Sequence, residues 1–149
     1  MPRFRYRMQS ILDIKLKLEE QARNEFAQAQ MILNEEEEKK RQLQGRLAAY
    51  EEEGKRLRED VLKPRELNEN ATAVDTMKDM IKQQEFVIVK ARTEVEKKRD
   101  ALSEVMQERK MHEKLKEKAL EEYLEEEKAA EMKAIDELTS FKYGGNRAK

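Results

Sequence analysis

Apolar residues recur along the first half of the chain at alternating steps of four and three positions. Nine of the twelve positions reached in this way are apolar or aromatic, counting Ala and Tyr. Residues between these positions are mostly Glu, Lys, Arg and Gln. This pattern is the heptad signature of a helix that packs against another helix. The twelve positions are Ala22, Phe26, Ala29, Leu33, Glu36, Lys40, Leu43, Leu47, Tyr50, Gly54, Leu57 and Val61.

The same rhythm returns in the second half, and the first stripe also extends towards the N-terminus. Met8, Ile11, Lys15 and Leu18 continue the first stripe, with two consecutive steps of four after Leu18 that should locally unwind a supercoil. Beyond Val105 the second stripe drifts through Arg109 and His112 and then recovers less strictly. Its positions are Met77, Ile81, Gln84, Ile88, Ala91, Val95, Lys98, Leu102, Val105, Ala119, Tyr123 and Ala130.

A segment with helix-breaking and turn-forming residues separates the two stripes. Pro64 lacks an N–H group and disfavours helix at the residue before it. Asn68 and Asn70 are turn formers, and residues 72–75 have the form of a capping box that ends in Asp. The sequence therefore predicts helix 1 over about 5–62, a bend over 63–71 and helix 2 over 72–142. Gly144 and Gly145 should end helix 2, leaving a flexible tail at 143–149.

The two helices are predicted to fold back on each other. A helix of roughly 55 residues is ~80 Å long, whereas a connector of about ten residues spans at most ~35 Å. Two helices of one chain therefore cannot run parallel. The predicted fold is all-α, a single coiled-coil domain over 1–149 in which two long helices form an antiparallel hairpin. Pairing with a second chain and a disordered polyampholyte are the alternatives.

The predicted register pairs the two stripes about residue 67. In this frame Leu33 faces Leu102, and two polar positions meet oppositely charged partners, Glu36 with Lys98 and Glu19 with Lys116. Such pairs would select the register rather than add much stability. The acidic and basic run at 35–41 is predicted to be a solvated helix face, because it places Glu four positions before Lys or Arg.

Composition supports a thin helical seam and offers no catalytic chemistry. Charged residues make up 44% of the chain, aromatic residues only 5%, and the net charge is −1. The chain has no Cys and only one His, so a His/Cys metal cluster is excluded. No phosphate-binding Gly-rich loop or nucleophile–His set is visible. We therefore expect neither an enzyme nor a bound cofactor or metal, and His112 is interpreted as a seam or surface residue.

The opening stretch FRYRM, residues 4–8, alternates aromatic or Met residues with Arg. Alone it is compatible with a strand, a nucleic-acid arm, a targeting peptide or the first turns of a helix. The acidic residues that follow at Asp13, Glu19 and Glu20 argue against a targeting peptide. The lack of a long basic stripe argues against nucleic-acid binding. The phase of Met8 and Ile11 favours the start of helix 1, at Ser10 or a few residues earlier.

Both ends of the chain resemble the flagellar export protein family FliJ. The N-terminal stretch FRYRMQSILDIKLKLEEQARNEFAQAQ and the segment EKLKEKALEEYLEEEKAAEMKAIDEL, residues 113–138, carry the resemblance. It implies an antiparallel two-helix coiled coil similar to the central stalk of rotary ATPases. It also implies a component of the type III export apparatus that works with the hexameric export ATPase, the membrane export gate and export chaperones. The implied location is the cytoplasmic side of the inner membrane at the flagellar base.

The resemblance suggests a division of labour between two ends of the hairpin. By similarity to a stalk, the terminal end would approach the ATPase, and the bend end would be free for the export gate. At the bend end Gly54 leaves a gap and Gln84 is polar, so the seam is predicted to be loose there and to expose apolar surface. The predicted terminal residues are Phe4, Arg5, Tyr6, Arg7, Tyr123 and Ile135. The predicted bend residues are Leu47, Tyr50, Met77, Met80, Ile81, Gln84 and Phe86.

Two alternative functions fit the same pattern. A homodimeric structural or tethering coiled coil would show the same heptads, and light scattering separates a dimer from a monomeric hairpin. A chaperone for another substrate would lack affinity for a hexameric ATPase, so co-purification with that ATPase separates the two.

Overall fold

A computed structural model describes the backbone of residues 3–147 and the side chains of residues 3–143. It contains two α-helices, α1 over Gln9–Glu59 and α2 over Pro64–Arg147, and no strand within the described backbone. The two helices pack against each other, which confirms the all-α prediction. No helix within the described residues is both long and apolar enough to span a bilayer.

The chain divides into two compact units where the sequence predicted one domain. The hairpin unit is Glu20–Ser103, and the terminal unit combines Met1–Glu19 with Glu104–Lys149. Within the hairpin unit, α1 and α2 run antiparallel. Asn70 contacts Tyr50 near the bend, and Lys98 contacts Glu25 at the far end of the same unit. Within the terminal unit the two helices are also antiparallel, since Phe4 meets Tyr123 whereas Glu19 meets Arg109.

The bend lies earlier and is shorter than predicted. Helix α1 ends at Glu59 and α2 begins at Pro64, not at Thr72. Pro64 occupies the first helical position, where its fixed φ suits the helix and its missing N–H costs no hydrogen bond. The backbone carbonyl of Lys63 accepts the N–H of Leu67, which starts the helix. Thr72 lies inside α2 and donates its hydroxyl to the carbonyl of Asn68, so the predicted capping box at 72–75 is wrong.

The outer helix boundaries also differ from the prediction. Helix α1 begins at Gln9 rather than near residue 5, because residues 3–6 have no regular secondary structure and a turn follows at 7–8. Helix α2 continues through Gly144 and Gly145 to Arg147. No glycine in the described backbone adopts a positive φ, so the expected left-handed helix stop at these glycines does not form. The remainder of the predicted tail, residues 148–149, lies outside the described residues.

The core of the hairpin unit is a single apolar cluster on the predicted stripes. Phe26 packs against the edge of this cluster. Ala29 and Ala91 are small, which lets the two helix backbones approach closely at the centre of the cluster. The prediction of the stripes is confirmed here, because every cluster member falls on them. The buried members are Ala29, Leu33, Ile88, Ala91 and Val95.

The predicted register is wrong. Leu33 packs with Ile88 and Ala91 rather than with Leu102, about three helical turns nearer the bend. Glu36 bonds to Gln84 and not to Lys98, which instead pairs with Glu25. Each residue by which a bend moves changes the partner position in an antiparallel pair by two residues. Moving the bend from its predicted centre near residue 67 to 60–63 therefore displaces every predicted pair.

The N-terminal part of the first stripe was also assigned to the wrong residues. Leu12 is buried, whereas Met8, Ile11 and Leu18 are exposed to about two fifths of their surface. The seam runs through Glu19, which is only 6% exposed and bonds to Arg109 rather than to Lys116. A buried charge is tolerated when it is paired and hydrogen-bonded. With Glu19 on the seam the spacing of four and three is unbroken, so no local unwinding is needed.

Gly54 is buried and closely packed, which corrects the prediction of a gap at this position. A Cβ atom at Gly54 would lie 2.5 Å from the Oδ1 atom of Asn70. Asn70 is held in place because its Nδ2 atom donates to the backbone carbonyl of Tyr50 at 2.8 Å. The side chain from α2 therefore fills the space that a glycine on α1 leaves open.

We expect Gly45→Ala and Gly54→Ala to change stability in opposite senses. A Cβ atom at Gly45 meets nothing within 4 Å, so the variant should gain about 0.5–1 kcal/mol from lower unfolded-state entropy. Gly54→Ala must displace Asn70 and lose its bond to Tyr50, so we expect no gain or a net loss, with the two variants separated by about 1–2 kcal/mol. Denaturant unfolding of both variants measures the difference. Equal stabilisation by both would contradict the close approach at Gly54.

Candidate functional site

The hairpin unit exposes a group of large apolar side chains on α2. Met80 is 41% exposed and Phe86 is 64% exposed, as predicted for residues off the seam. Val87, 42% exposed, lies seven positions from Met80 and on the same side of α2, whereas Val89, 57% exposed, lies three positions from Phe86 and shares its side. We call these four residues the hairpin patch. Met77, which was predicted to contribute to this surface, is only 6% exposed and lies buried on the seam.

The other residues predicted at the bend end lie at the edge of the seam. Leu47, Tyr50, Ile81 and Gln84 are all half-buried between the two helices. The Nε2 atom of Gln84 donates to the backbone carbonyl of Glu36 at 2.9 Å and to its carboxylate at 2.6 Å. The bond from Gln84, together with one from Lys39, holds the pKa of Glu36 below its usual value. Gln84 therefore forms hydrogen bonds between the helices, whereas the sequence predicted a loosely packed seam at this position.

Charged residues in the run at 35–41 form ion pairs with α2 as well as facing solvent. Within α1, Lys39 pairs with Glu36 and Arg41 with Glu38, each at a spacing of three. Across the helices, Lys40 approaches Glu85 to 3.4 Å and Glu37 approaches Arg92 to 3.5 Å. The prediction of a solvated face holds for residues 35, 38, 39 and 41, which are exposed, whereas Glu36, Glu37 and Lys40 are half-buried beside α2. These exposed pairs add little stability but favour one alignment of the helices.

The opening stretch of the chain packs against α2 as an extended lead-in within the terminal unit. Phe4 and Tyr6 are half-buried, whereas Arg3, Arg5 and Arg7 are exposed. This alternation has the period of two that extended backbone gives. The rings of Phe4 and Tyr123 are tilted, with centroids 5.4 Å apart. Burial, reinforced by the nearby Glu127, raises the pKa of the Tyr123 hydroxyl.

A buried ion pair follows the aromatic contact in the terminal unit. Arg109 donates from Nε and from a terminal nitrogen to the two carboxylate oxygens of Glu19, at 2.7 and 3.2 Å. A third bond, at 2.9 Å, joins Arg109 to Glu113. These carboxylates raise the pKa of Arg109. Sequence reasoning missed the pair, although both residues fall at heptad positions and carry opposite charges.

A second ion pair joins the two helices close to the pair of Glu19 and Arg109. The Nζ atom of Lys15 lies 2.7 Å from the carboxylate of Glu108, and this bond lowers the pKa of Glu108. His112, four positions after Glu108, is half-buried, which is compatible with the predicted seam or surface residue. Its Nδ1 atom is buried and has no hydrogen-bond partner among the described residues.

The C-terminal arm of α2, residues 128–143, is exposed along its whole length. Ile135, predicted to bind a partner, is 57% exposed. It lines a shallow depression together with other side chains of the arm. Those side chains are Leu138, Thr139, Lys142 and Tyr143. An apolar stripe left open in this way is typical of a surface that binds another protein.

The structure thus separates the predicted site residues into three groups. The hairpin unit holds the exposed Met80 and Phe86 beside half-buried seam residues. The terminal unit brings Phe4 and Tyr123 together, holds Tyr6 half-buried, and leaves Ile135 on the exposed arm. Within the described residues, no group of three or more His, Cys, Asp or Glu side chains is arranged to hold a metal ion.

Comparison with known protein families gives one match. The family model described as flagellar FliJ protein matches residues 4–148 of the chain. The match therefore covers both units and the two terminal sequence patterns. Neither the curated proteins nor the solved structures provide a match.

Proposed function

Because this chain belongs to the flagellar FliJ protein family, we propose that it is a non-enzymatic coiled-coil adaptor of the flagellar type III export apparatus. Family membership supports a role in flagellar protein export. The finer proposal is that the chain links the hexameric export ATPase to the membrane export gate and to export chaperones. It would act at the cytoplasmic face of the inner membrane.

The observation that carries the proposal is the exposed apolar surface on each of the two units. A helix pair that served only as a spacer would keep its large apolar side chains on the seam. Here Phe86 in the hairpin unit and Ile135 in the terminal unit are each more than half exposed. Exposed apolar area on otherwise charged helices favours binding to other proteins.

We propose that the hairpin patch binds the export gate. Its side chains are large and apolar. Met80 and Val87, seven residues apart, share one side of α2, and Phe86 and Val89, three residues apart, share another. A groove on the gate that covered both sides would recognise α2 in the way that helices are generally bound. The half-buried Leu47, Tyr50, Ile81 and Gln84 would support the patch rather than contact the gate.

We propose that the terminal unit binds the export ATPase. The aromatic contact between Phe4 and Tyr123 fixes the extended lead-in on α2 and leaves Arg5 and Arg7 exposed. Guanidinium groups held in this way can form bidentate contacts with carboxylates. Ile135 adds an apolar contact on the arm.

The gate assignment predicts a specific effect of replacing two exposed residues. Met80→Ser with Phe86→Ser should weaken binding to the gate at least tenfold and reduce motility, with the melting temperature nearly unchanged. Neither side chain is buried, so the fold does not depend on them. Pull-down with the purified gate protein, a motility assay and thermal unfolding measure the three quantities.

Met31→Ser is the matched control for this experiment. Met31 lies on α1 in the same unit and is 62% exposed, but it is outside the hairpin patch. This variant should bind the gate as the unchanged chain does. Unchanged gate binding in the double variant, or a loss that follows unfolding, would contradict the assignment.

The runner-up function, a tethering coiled coil unrelated to export, is tested by the same proteins. It predicts that the unchanged chain binds neither the export ATPase nor the gate. Co-purification with either one would exclude it.

A further inference from the structure

Lys116 lies on the seam of the terminal unit without an ion-pair partner among the described residues. Its side chain is half-buried, and a lysine in such a place buries its methylene groups and holds its ammonium group at the edge of the seam. It makes no hydrogen bond to any residue that the structure describes. This is unusual, because a cation that is partly withdrawn from water normally has an anionic partner.

The two carboxylates that could pair with Lys116 are bonded to Arg109. Glu19, which the sequence predicted to face Lys116, accepts two hydrogen bonds from Arg109 instead. On α2 itself, the only acidic residue three or four positions from Lys116 is Glu113. Glu113 is also bonded to Arg109, at 2.9 Å. The positive charge of Lys116 is therefore left available to an anion from outside the chain.

Lys116 lines a depression that the opening stretch of the chain completes. The ring contact between Phe4 and Tyr123 holds this stretch on α2. Arg5 is exposed and, like Lys116, has no ion-pair partner within the described part of the chain. We call this feature the Lys116 depression, and its lining residues are Phe4, Arg5, Tyr6, Gln9 and Lys116.

The hydroxyl group of Tyr6 is a further polar group without a partner at the Lys116 depression. Its oxygen is enclosed by protein and makes no hydrogen bond with the residues that the structure describes, although buried hydroxyl groups are nearly always hydrogen-bonded. Gln9, in contrast, donates from Nε2 to Asp13 at 2.9 Å. Three of the four polar side chains of the lining therefore lack a partner, and all three types can donate a hydrogen bond to an anion.

We propose that the Lys116 depression binds the carboxylate of an acidic side chain of another protein. The ammonium group of Lys116 and the guanidinium group of Arg5 come from different segments of the chain and line one depression, so a single carboxylate can form charge-assisted hydrogen bonds with both. The rings of Phe4 and Tyr6 supply apolar surface for the methylene groups that carry this carboxylate. The identity of the other protein rests on the proposed function, in which the terminal unit binds the export ATPase.

The charge around the depression favours one carboxylate over a polyanion. Residues 3–9 carry three Arg and no acidic residue. Directly after Lys116, residues 117–127 of α2 carry six Glu against one Lys. This acidic stretch would repel a nucleic-acid backbone or an anionic lipid surface. A single carboxylate is attracted by the two cations without extending along the acidic stretch.

The direct test is an NMR titration of the isotope-labelled full chain with short peptides. Acetyl-Ala-Glu-Ala-amide should shift the amide signals of residues 4–9 and of Lys116, with a dissociation constant of roughly millimolar order. The same peptide with Gln in place of Glu should shift none of them. K116Q and R5Q should each bind the glutamate peptide about fivefold more weakly or worse, and circular dichroism should show that both remain helical.

K118Q is the matched control for the titration. Lys118 is an exposed residue of α2 two positions from Lys116, and it does not line the Lys116 depression. This variant should bind the glutamate peptide as the unchanged chain does. Equal binding by K116Q and the unchanged chain would overturn the proposal, as would equal shifts with the two peptides.

Titrations with sodium acetate and with inorganic phosphate, at constant ionic strength, identify the source of the anion. Acetate should bind more weakly than the glutamate peptide, because it lacks the methylene groups that the aromatic rings would cover. Phosphate should also bind more weakly, because its second negative charge is repelled by the neighbouring Glu residues. Tighter binding of acetate would indicate a free small carboxylate, and tighter binding of phosphate would indicate a phosphate group. Either result would overturn the proposal.

Pull-down with the purified export ATPase separates the site from the proposed function. K116Q and R5Q should capture about fivefold less ATPase than the unchanged chain, and K118Q should capture the same amount. Equal capture by K116Q and the unchanged chain would overturn the role of the depression in this contact and leave the proposed function standing. If the unchanged chain captured no ATPase, the proposed function would fail, and the peptide titration would decide the site by itself.

Discussion

Ile88→Ala is expected to lower the free energy of unfolding by about 2–4 kcal/mol. Ile88 is 4% exposed and lies at the centre of the only apolar cluster found among the described residues of the hairpin unit, with Leu33 and Ala91. Removing three of its carbon atoms leaves a cavity between two stiff helices that cannot close around it. Urea unfolding followed by circular dichroism measures the loss.

The neighbouring residue supplies the control. Val89 is 57% exposed, so Val89→Ala should change the free energy of unfolding by less than about 0.5 kcal/mol. A similar loss in both variants would mean that the seam of α2 is not where the structure has it.

Leu33 adds a test of the register. In a double-mutant cycle, Leu33→Ala and Ile88→Ala should be coupled by more than about 0.5 kcal/mol, because the two side chains share the cluster. Leu33→Ala and Leu102→Ala should be additive. Coupling of the second pair instead would restore the register predicted from the sequence.

Arg109→Ala is expected to lower the melting temperature by roughly 5–10 °C. The reason is the carboxylate it leaves behind, since Glu19 is 6% exposed and takes two of its hydrogen bonds from Arg109. A carboxylate that is withdrawn from water and loses two charge-assisted hydrogen bonds is strongly destabilising. Differential scanning calorimetry measures the change.

The matched comparison removes both charges at once. E19L/R109L replaces the ion pair by two apolar residues at heptad positions, so its melting temperature should return to that of the unchanged chain or exceed it. R109K should fall between the two variants, because an ammonium group cannot make the bidentate contact that the guanidinium makes. If the double variant were less stable than Arg109→Ala, the lost bonds between Glu19 and Arg109 would not explain the lower melting temperature of Arg109→Ala.

The two stripes were predictable because they depend on local spacing alone. Ala29, Leu33, Ile88, Ala91 and Val95 lie on the predicted stripes and form the core of the hairpin unit. A heptad repeat places them on one side of a helix wherever the partner comes from. For the same reason Met80 and Phe86 could be identified as exposed, since both lie off the stripe.

Hydrophobicity alone could not predict which residues in the N-terminal part of α1 lie on the seam. The apolar Leu18 was preferred to its neighbour Glu19, yet Glu19 is the buried residue. What permits its burial is Arg109, which stands 90 positions away in the sequence. No local pattern contains that partner, so only the folded structure could assign Glu19 to the seam.

The predicted register was wrong because the role of one residue at the bend was misinterpreted. Pro64 was interpreted as a helix breaker, whereas it opens α2. Both roles follow from the same ring, and the sequence around it does not distinguish them. An error in the position of the bend shifts every predicted partner by twice as many residues. Glu36, Lys98 and Lys116 were therefore all assigned partners that they do not have.

The sequence by itself determined that the chain forms two long helices with one apolar stripe each, because helical periodicity is a property of neighbouring residues. It also determined the family, through patterns at both ends of the chain. The tertiary structure alone decided which residues face each other, which charges are buried, and that the C-terminal arm of α2 is exposed. Those features depend on where α1 ends and α2 begins, and contacts between residues so far apart in the chain are fixed only when the two helices pack.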